Sequence, residues 1–263
     1  MTDVTVHRDV VFHRPTGGES PIHLDVYDPD DGESDRPAVV VYHGGGWAEG
    51  EKGQLEALER GLAERGIVCF DANYRLSGEA TFPEPVEDGA AAVRFAREHA
   101  DEYGIDPGRI ATTGHSAGGH LAALIAAADG DFDPDDAAVS SAVAATAPIS
   151  GAYDLRDRDP EAANDLERQF LGGGPEEVPE RYERASPAAH VDGATPPTLI
   201  LHGDADDLLP VEGAREYARV LRGAGRPVEL GIVPGGSHGI LVEDDDYLPR
   251  GIETVADFFD RRL

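Results

Sequence analysis

The chain has 263 residues, with 52 Asp plus Glu against 22 Lys plus Arg and a formal net charge of −30. Such a balance argues against nucleic acid as a partner, because phosphates need clustered Lys and Arg, and against an anionic membrane surface. Hydrophobic residues make up 40% and fall in regular blocks, so the chain reads as folded around a sizeable core and not as a disordered polyanion.

Lys52 is the only lysine, and the carboxylates are spread along the whole chain. An acidic block would mark an interaction tail, whereas an even spread marks a surface charged all round. The expectation is adaptation to a salt-rich cytoplasm, where a screening length of roughly 3 Å at 1 M suppresses self-repulsion. The competing reading is an ordinary acidic protein from a GC-rich genome, which also favours Arg. Cys69 is the single cysteine, so no intrachain disulfide forms, and its apolar setting predicts a buried, inert thiol. Residues 1–9 carry no signal-peptide core, and no run reaches ~18 apolar residues. A cytoplasmic protein without membrane contact is expected; its oligomeric state is not legible.

In chain order, residues 4–13 and 22–27 alternate loosely and predict two strands joined by a turn at 15–18. Residues 38–42 form a continuous apolar run, as in a strand buried on both faces. Residues 54–65 place Leu55, Leu58 and Leu62 at helical spacing before Gly66. Strand 67–74, helix 85–103, strand 109–113, helix 119–128 and strand 142–149 follow. After them come strand 197–201, helix 211–222, strand 228–233 and helix 250–262. Strands separated by helices predict a mostly parallel sheet of about eight strands, with helices on both faces and an antiparallel N-terminal edge. The expected organisation is one domain, 1–263. Residues 154–194 break the alternation with a short helical piece at 162–170 and three successive glycines, which predicts a lid or pocket wall.

The sharpest local signal is Gly114-His115-Ser116-Ala117-Gly118, between a predicted strand and a predicted helix. A strand that turns abruptly into a helix strains its central residue and leaves room only for glycine two positions away on either side. Ser116 would then present its hydroxyl at the sheet edge as a nucleophile, beside a helix N-terminus that favours a developing anion. The second signal is His43-Gly44-Gly45-Gly46-Trp47, after the strand ending at Tyr42. Acyl transfer needs N–H donors aimed at the forming oxyanion, and Gly45, Gly46 and Ala117 are the candidates. A phosphate loop would need Lys followed by Ser or Thr, which this segment lacks.

A serine nucleophile needs a base and an orienting acid, in the chain order Ser, acid, His. His238 follows the last strand and is the candidate base. Asp204, Asp206 and Asp207 all lie in the right loop for the acid, and spacing does not choose among them. His115 and His120 read as packing residues or, for His115, a pocket neighbour; Trp47 and Tyr74 are further pocket candidates. Residues 129–136 superficially resemble a calcium loop but have Pro134 where glycine is needed and Ser140 where the closing Glu would stand. With no H-E-x-x-H and no paired cysteines, no metal is expected.

Taken together these segments resemble the α/β-hydrolase fold, within it the esterases with an HGGG oxyanion motif. These include hormone-sensitive-lipase-like carboxylesterases and feruloyl- or acetyl-xylan-esterase-like enzymes. The resemblance runs from about residue 22 to the end and includes Asn73-Tyr74-Arg75-Leu76, Ser150-Gly151 and Ser186-Pro187. It implies Asp206 as the acid, four residues after His202 in an H-G-x-x-D segment, and His238 as the base. It implies a cofactor-free serine hydrolase acting on a small-molecule ester. Formamidases, peptidases and non-catalytic binding proteins on the same fold are the alternatives.

Overall fold

Strand β3 (Arg36–Tyr42) explains the architecture. Ala38, Val40 and Tyr42 lie in one apolar cluster, Val39 and Val41 in another, and all five are fully buried. Side chains of a strand alternate faces, so a run apolar on both faces demands helices above and below. The structure is a computed structural model describing residues 3–16, 20–156, 165–242 and 246–263. Its other elements are β1 (Val4–His13), β2 (Ile22–Pro29), α1 (Glu56–Ala63), β4 (Val68–Ala72), α2 (Glu84–Glu98), β5 (Ile105–His115) and α3 (Ala117–Ala128). They continue with β6 (Ala145–Ile149), α4 (Asp165–Leu171), α5 (Pro179–Arg184), β7 (Thr198–Gly203), α6 (Val211–Gly223), β8 (Val228–Val233) and α7 (Leu248–Arg262).

The eight strands form one sheet in the order β1-β2-β4-β3-β5-β6-β7-β8. β1 and β2, and β2 and β4, are antiparallel; the remaining neighbours are parallel. One face packs Leu58 and Leu62 of α1 with Val255, Phe258 and Phe259 of α7. The other packs Val86 and Val93 of α2 with Leu121 and Leu124 of α3, while α6 adds Ala214, Tyr217 and Leu221. Each such large side chain stabilises by about 1.5–3 kcal/mol when fully buried.

Element boundaries differ from expectation where side chains intervene. The helix expected to reach Tyr103 ends at Glu98, because His99 leaves the helical region (φ −103°, ψ 22°) and its ring lies 2.9 Å from the Phe95 carbonyl. β6 starts at Ala145, not 142, since Arg97 takes the Ala142 carbonyl at 2.7 Å. β5 reaches His115 because β3 and β6 flank it there, pairing Tyr42 with Gly114 and His115 with Ile149. Gly17 and Gly18 of the anticipated turn, and residues 162–164 of the anticipated helical piece, lie outside the described residues. Within the described part of 154–194, Phe170, Leu171, Tyr182 and Ala185 join the cluster that holds Trp47 and Phe82, while Leu166 is exposed.

Buried charge pins the antiparallel edge. Lys52 bonds Asp25 at 2.5 Å and Asp9 at 2.9 Å, and Arg8 reaches Asp25 at 2.9 Å. Asp71 accepts the Gly53 amide. Behind it Glu59 is fully buried and faces Asp71 and the Tyr27 hydroxyl. Burial first, and then the Asp71 charge, push the Glu59 carboxyl well above its ordinary range. The folded state therefore holds a proton that the unfolded chain releases above about pH 4.3. This contribution to stability is complete below that pH and is lost as pH rises through the folded-state titration. Glu59→Gln, neutral at every pH, is expected to raise the melting temperature at pH 9 and flatten its decline as pH rises from about 5 to 9. Thermal unfolding across that range checks this; a variant less stable than wild type at pH 9 contradicts it.

Candidate active site

β5 ends one residue before Ser116, and α3 begins one residue after it. Ser116 is therefore forced into φ 56°, ψ −116°, a conformation that costs on the order of 1–3 kcal/mol and must be held by its surroundings. The Ser116 amide donates to the Ile149 carbonyl at 2.9 Å, and its own carbonyl accepts the His120 amide at 2.9 Å. The turn is possible because two backbones touch. A Cβ on Gly114 would lie 2.6 Å from the Tyr42 carbonyl oxygen, and one on Gly118 would overlap that same oxygen.

β7 and β8 bring the other two side chains to this edge. Ser116 Oγ donates to His238 Nε2 at 2.9 Å, and His238 Nδ1 donates to Asp206 Oδ2 at 2.8 Å. Asp206 Oδ1 accepts the amides of Leu209 at 2.8 Å and Leu208 at 3.0 Å. Burial works against the Asp206 charge, but the Leu209 amide, His238 and the Leu208 amide outweigh it, so the carboxyl stays below its usual range. Of the three acids open in the sequence, Asp206 alone reaches His238. Asp204 accepts the Gly235 amide at 2.6 Å, and Asp207 is exposed. His202, buried, lies 3.2 Å from Asp206 Oδ2 and donates to the Leu209 carbonyl at 2.8 Å. The i, i+4 spacing of His202 and Asp206 is legible in the sequence, but this contact is not.

The glycine loop lies on the far side of Ser116 in the sheet order, after β3. Gly45 (φ +123°) and Gly46 (φ +58°) adopt conformations that disfavour other residues. The amides of Gly45, Gly46 and Ala117 donate to no acceptor among the described residues. The loop is fixed from behind. The Gly44 amide donates to Gln54 Oε1 at 2.6 Å, and Tyr74 donates to the His43 carbonyl at 3.0 Å while stacking on the His43 ring at 4.3 Å. Gln54 carried no signal in the sequence.

The three pocket candidates are largely covered, and each holds a neighbouring segment. Tyr74 is 3% exposed and bound to His43. Trp47 is 5% exposed, stacks on Phe170 at 4.7 Å and donates to His120 Nδ1 at 3.2 Å. His115 is 6% exposed and bonds the His238 carbonyl. Each ring is large enough to be covered by its neighbours, which the linear motif does not reveal. The side chain that does open at the site is Leu166 on α4, 42% exposed, whose Cδ1 lies 2.5 Å from where a Gly46 Cβ would be. Among the described residues no group of three or more His, Cys, Asp or Glu could hold a metal ion, and no helix is long and apolar enough to cross a membrane.

A serine at a strained turn after the central strand of this sheet, with a histidine and an aspartate on the last two strand-end loops, defines an α/β-hydrolase. More particularly, the chain belongs to the BD-FAE family, whose profile matches residues 24–221. It is 36% identical over 226 residues to the probable carboxylic ester hydrolase LipM of Mycobacterium tuberculosis, covering 82% of this chain and 52% of that one. Esterase LipC of the same organism is 34% identical over 218 residues, covering 79% and 54%. The chain thus spans about half the length of these curated relatives. A truncated carbohydrate esterase from gut microbiota superposes with a TM-score of 0.86 at 27% identity, covering 98% of this chain and 96% of that one. A butyrate-bound esterase from Thermogutta terrifontis gives 0.82 at 28%, covering 99% and 94%.

The backbone contact at the turn makes opposite predictions for two glycines. Gly118→Ala is expected to cost on the order of 3 kcal/mol, lowering the melting temperature by roughly 6–12 °C. Gly213→Ala, in α6 with nothing within 4 Å of the new methyl, is expected to be neutral or to stabilise by up to about 1 kcal/mol. Melting curves of the two variants decide it, and equal effects would contradict the close approach.

Proposed function

We propose that this chain is a carboxylesterase-type serine hydrolase that cleaves small or medium esters through an acyl-enzyme. The hydrogen-bonded chain Ser116–His238–Asp206 is the observation that carries this reading, and three backbone N–H groups without acceptors among the described residues, those of Gly45, Gly46 and Ala117, support it. As Ser116 Oγ attacks the ester carbonyl, His238 takes its proton, and Asp206 orients the ring and stabilises its charged form. The amides of Gly45, Gly46 and Ala117 receive the oxyanion. His238 then gives its proton to the departing alkoxide, and water, deprotonated in turn by His238, releases the acid and restores Ser116. The homologous esterases support ester cleavage, and the butyrate in the Thermogutta structure supports a short acyl group. Leu166 and Leu208 are the exposed large hydrophobic side chains among the described residues. One borders the glycine loop and the other follows Asp206, which favours an uncharged substrate on an otherwise acidic surface.

The site reading is tested by labelling and substitution. A fluorophosphonate is expected to label wild type and not Ser116→Ala. That variant should lose at least about 10⁴-fold in kcat, with Asp206→Asn close behind and Asp204→Asn and Asp207→Asn within about threefold of wild type. Steady-state kinetics on a short-chain aryl ester checks the order, and an active Ser116→Ala enzyme would overturn the assignment.

The surface charge supports a further part of the reading, that the protein works in concentrated salt. Net charge is −30, and the single lysine sits inside an ion cluster with its side chain 15% exposed. Activity and melting temperature are expected to rise between ~0.1 M and molar salt as self-repulsion is screened. Full stability at the lower concentration with no gain above it would contradict this.

A further inference from the structure

His115 occupies the variable position of the nucleophile pentapeptide, and the mechanism above gives it no step. Its surroundings are specific nonetheless. The ring is buried, and its Nε2–H donates to the backbone carbonyl of His238 at 2.8 Å. The carbonyl can only accept, so Nε2 carries the proton and Nδ1 is left as a bare lone pair. Nδ1 has no hydrogen-bond partner and points toward the glycine loop, 3.0 Å from where a Gly44 Cβ would be. Gly44 is in turn held by Gln54. One imidazole therefore touches the loop after β3, the turn after β5 and the loop after β8. Its ring centre lies 4.9 Å from that of His238.

We propose, building on the serine-hydrolase reading, that His115 is a positioning residue whose neutral ring fixes the spacing between nucleophile, base and oxyanion loop. Two side-chain bonds, to Ser116 and Asp206, aim the His238 ring but do not hold its own backbone carbonyl. The bond from His115 supplies a third anchor, and it comes from the residue bonded covalently to Ser116. Neutrality matters because His238 becomes a cation when it takes the serine proton, and a second cation at that distance would oppose it. Burial provides the neutrality, pushing the His115 imidazole down to about 4 despite the nearby Asp206 carboxylate.

The test compares two replacements. Phe keeps the ring and removes the donor, while Gln places an N–H donor near the position of Nε2. His115→Phe is expected to lower kcat by roughly 10–100-fold, because small misplacements at a reacting centre cost that much, with KM within about threefold. Fluorophosphonate labelling of Ser116 should slow in parallel, and His115→Gln should recover to within about threefold of wild type on both measures. A His115→Phe enzyme within twofold of wild type, or a His115→Gln enzyme as impaired as His115→Phe, overturns the proposal. Should His115→Phe not fold, ring ¹⁵N spectra of wild type decide. They should show His115 neutral and protonated at Nε2 from pH 6 to 9; a titration in that range, or an Nδ1–H form, refutes it. Ser116→Ala, run alongside, separates the two levels, since activity in that variant would sink the hydrolase reading itself.

Discussion

The site depends on how closely three pieces of backbone approach one another. The Tyr42 carbonyl at the end of β3 lies against Gly114 and Gly118 on either side of Ser116, with no room for a Cβ between them. That contact lets β5 turn into α3 within a single residue and leaves Ser116 with nowhere to relax. The strain is retained because hydrogen bonds to Ile149 and His120 hold both sides of the residue, and because α3 is buried along its whole length. A serine on a looser turn would sample many rotamers and meet His238 in few of them.

Around this fixed point the protein arranges histidines in two kinds. His238 is partly exposed and placed between an acceptor carboxylate and a donor hydroxyl. His43, His115, His120 and His202 are buried, and burial holds each imidazole below its ordinary range. These four act as neutral, rigid hydrogen-bonding rings that fasten loops together. His120 joins Trp47 to the Ala185 carbonyl, and so joins the glycine loop to the inserted segment. Packing thus separates one imidazole left partly open between a hydroxyl and a carboxylate from four that serve as fixed pieces of structure.

The carboxylates divide in the same way. Most of those among the described residues are partly or fully exposed. Asp206 is kept ionised by two amides and His238, Asp25 is paired with Arg8 and Lys52, and Glu59 takes the opposite course and keeps its proton. The overall charge hides these three states, because each is set by what faces the carboxyl in the fold.

The sequence by itself determined the class of fold and the residues on which the proposed chemistry rests. Strands apolar on both faces, such as 38–42, can be stable only between two helical layers, and glycines two residues either side of Ser116 are dictated by local sterics. These signals are short-range, so they survive in a linear string. Spacing left Asp204, Asp206 and Asp207 open and the family resemblance pointed to Asp206, but only the tertiary structure supplies the reason, because the path of the loop after β7 and the amides of Leu208 and Leu209 turn that one carboxylate to His238. It likewise buried the rings of Trp47, Tyr74 and His115 and brought Leu166 to the glycine loop. Those outcomes depend on which distant side chains cover a ring or leave it open, and no spacing along the chain encodes that.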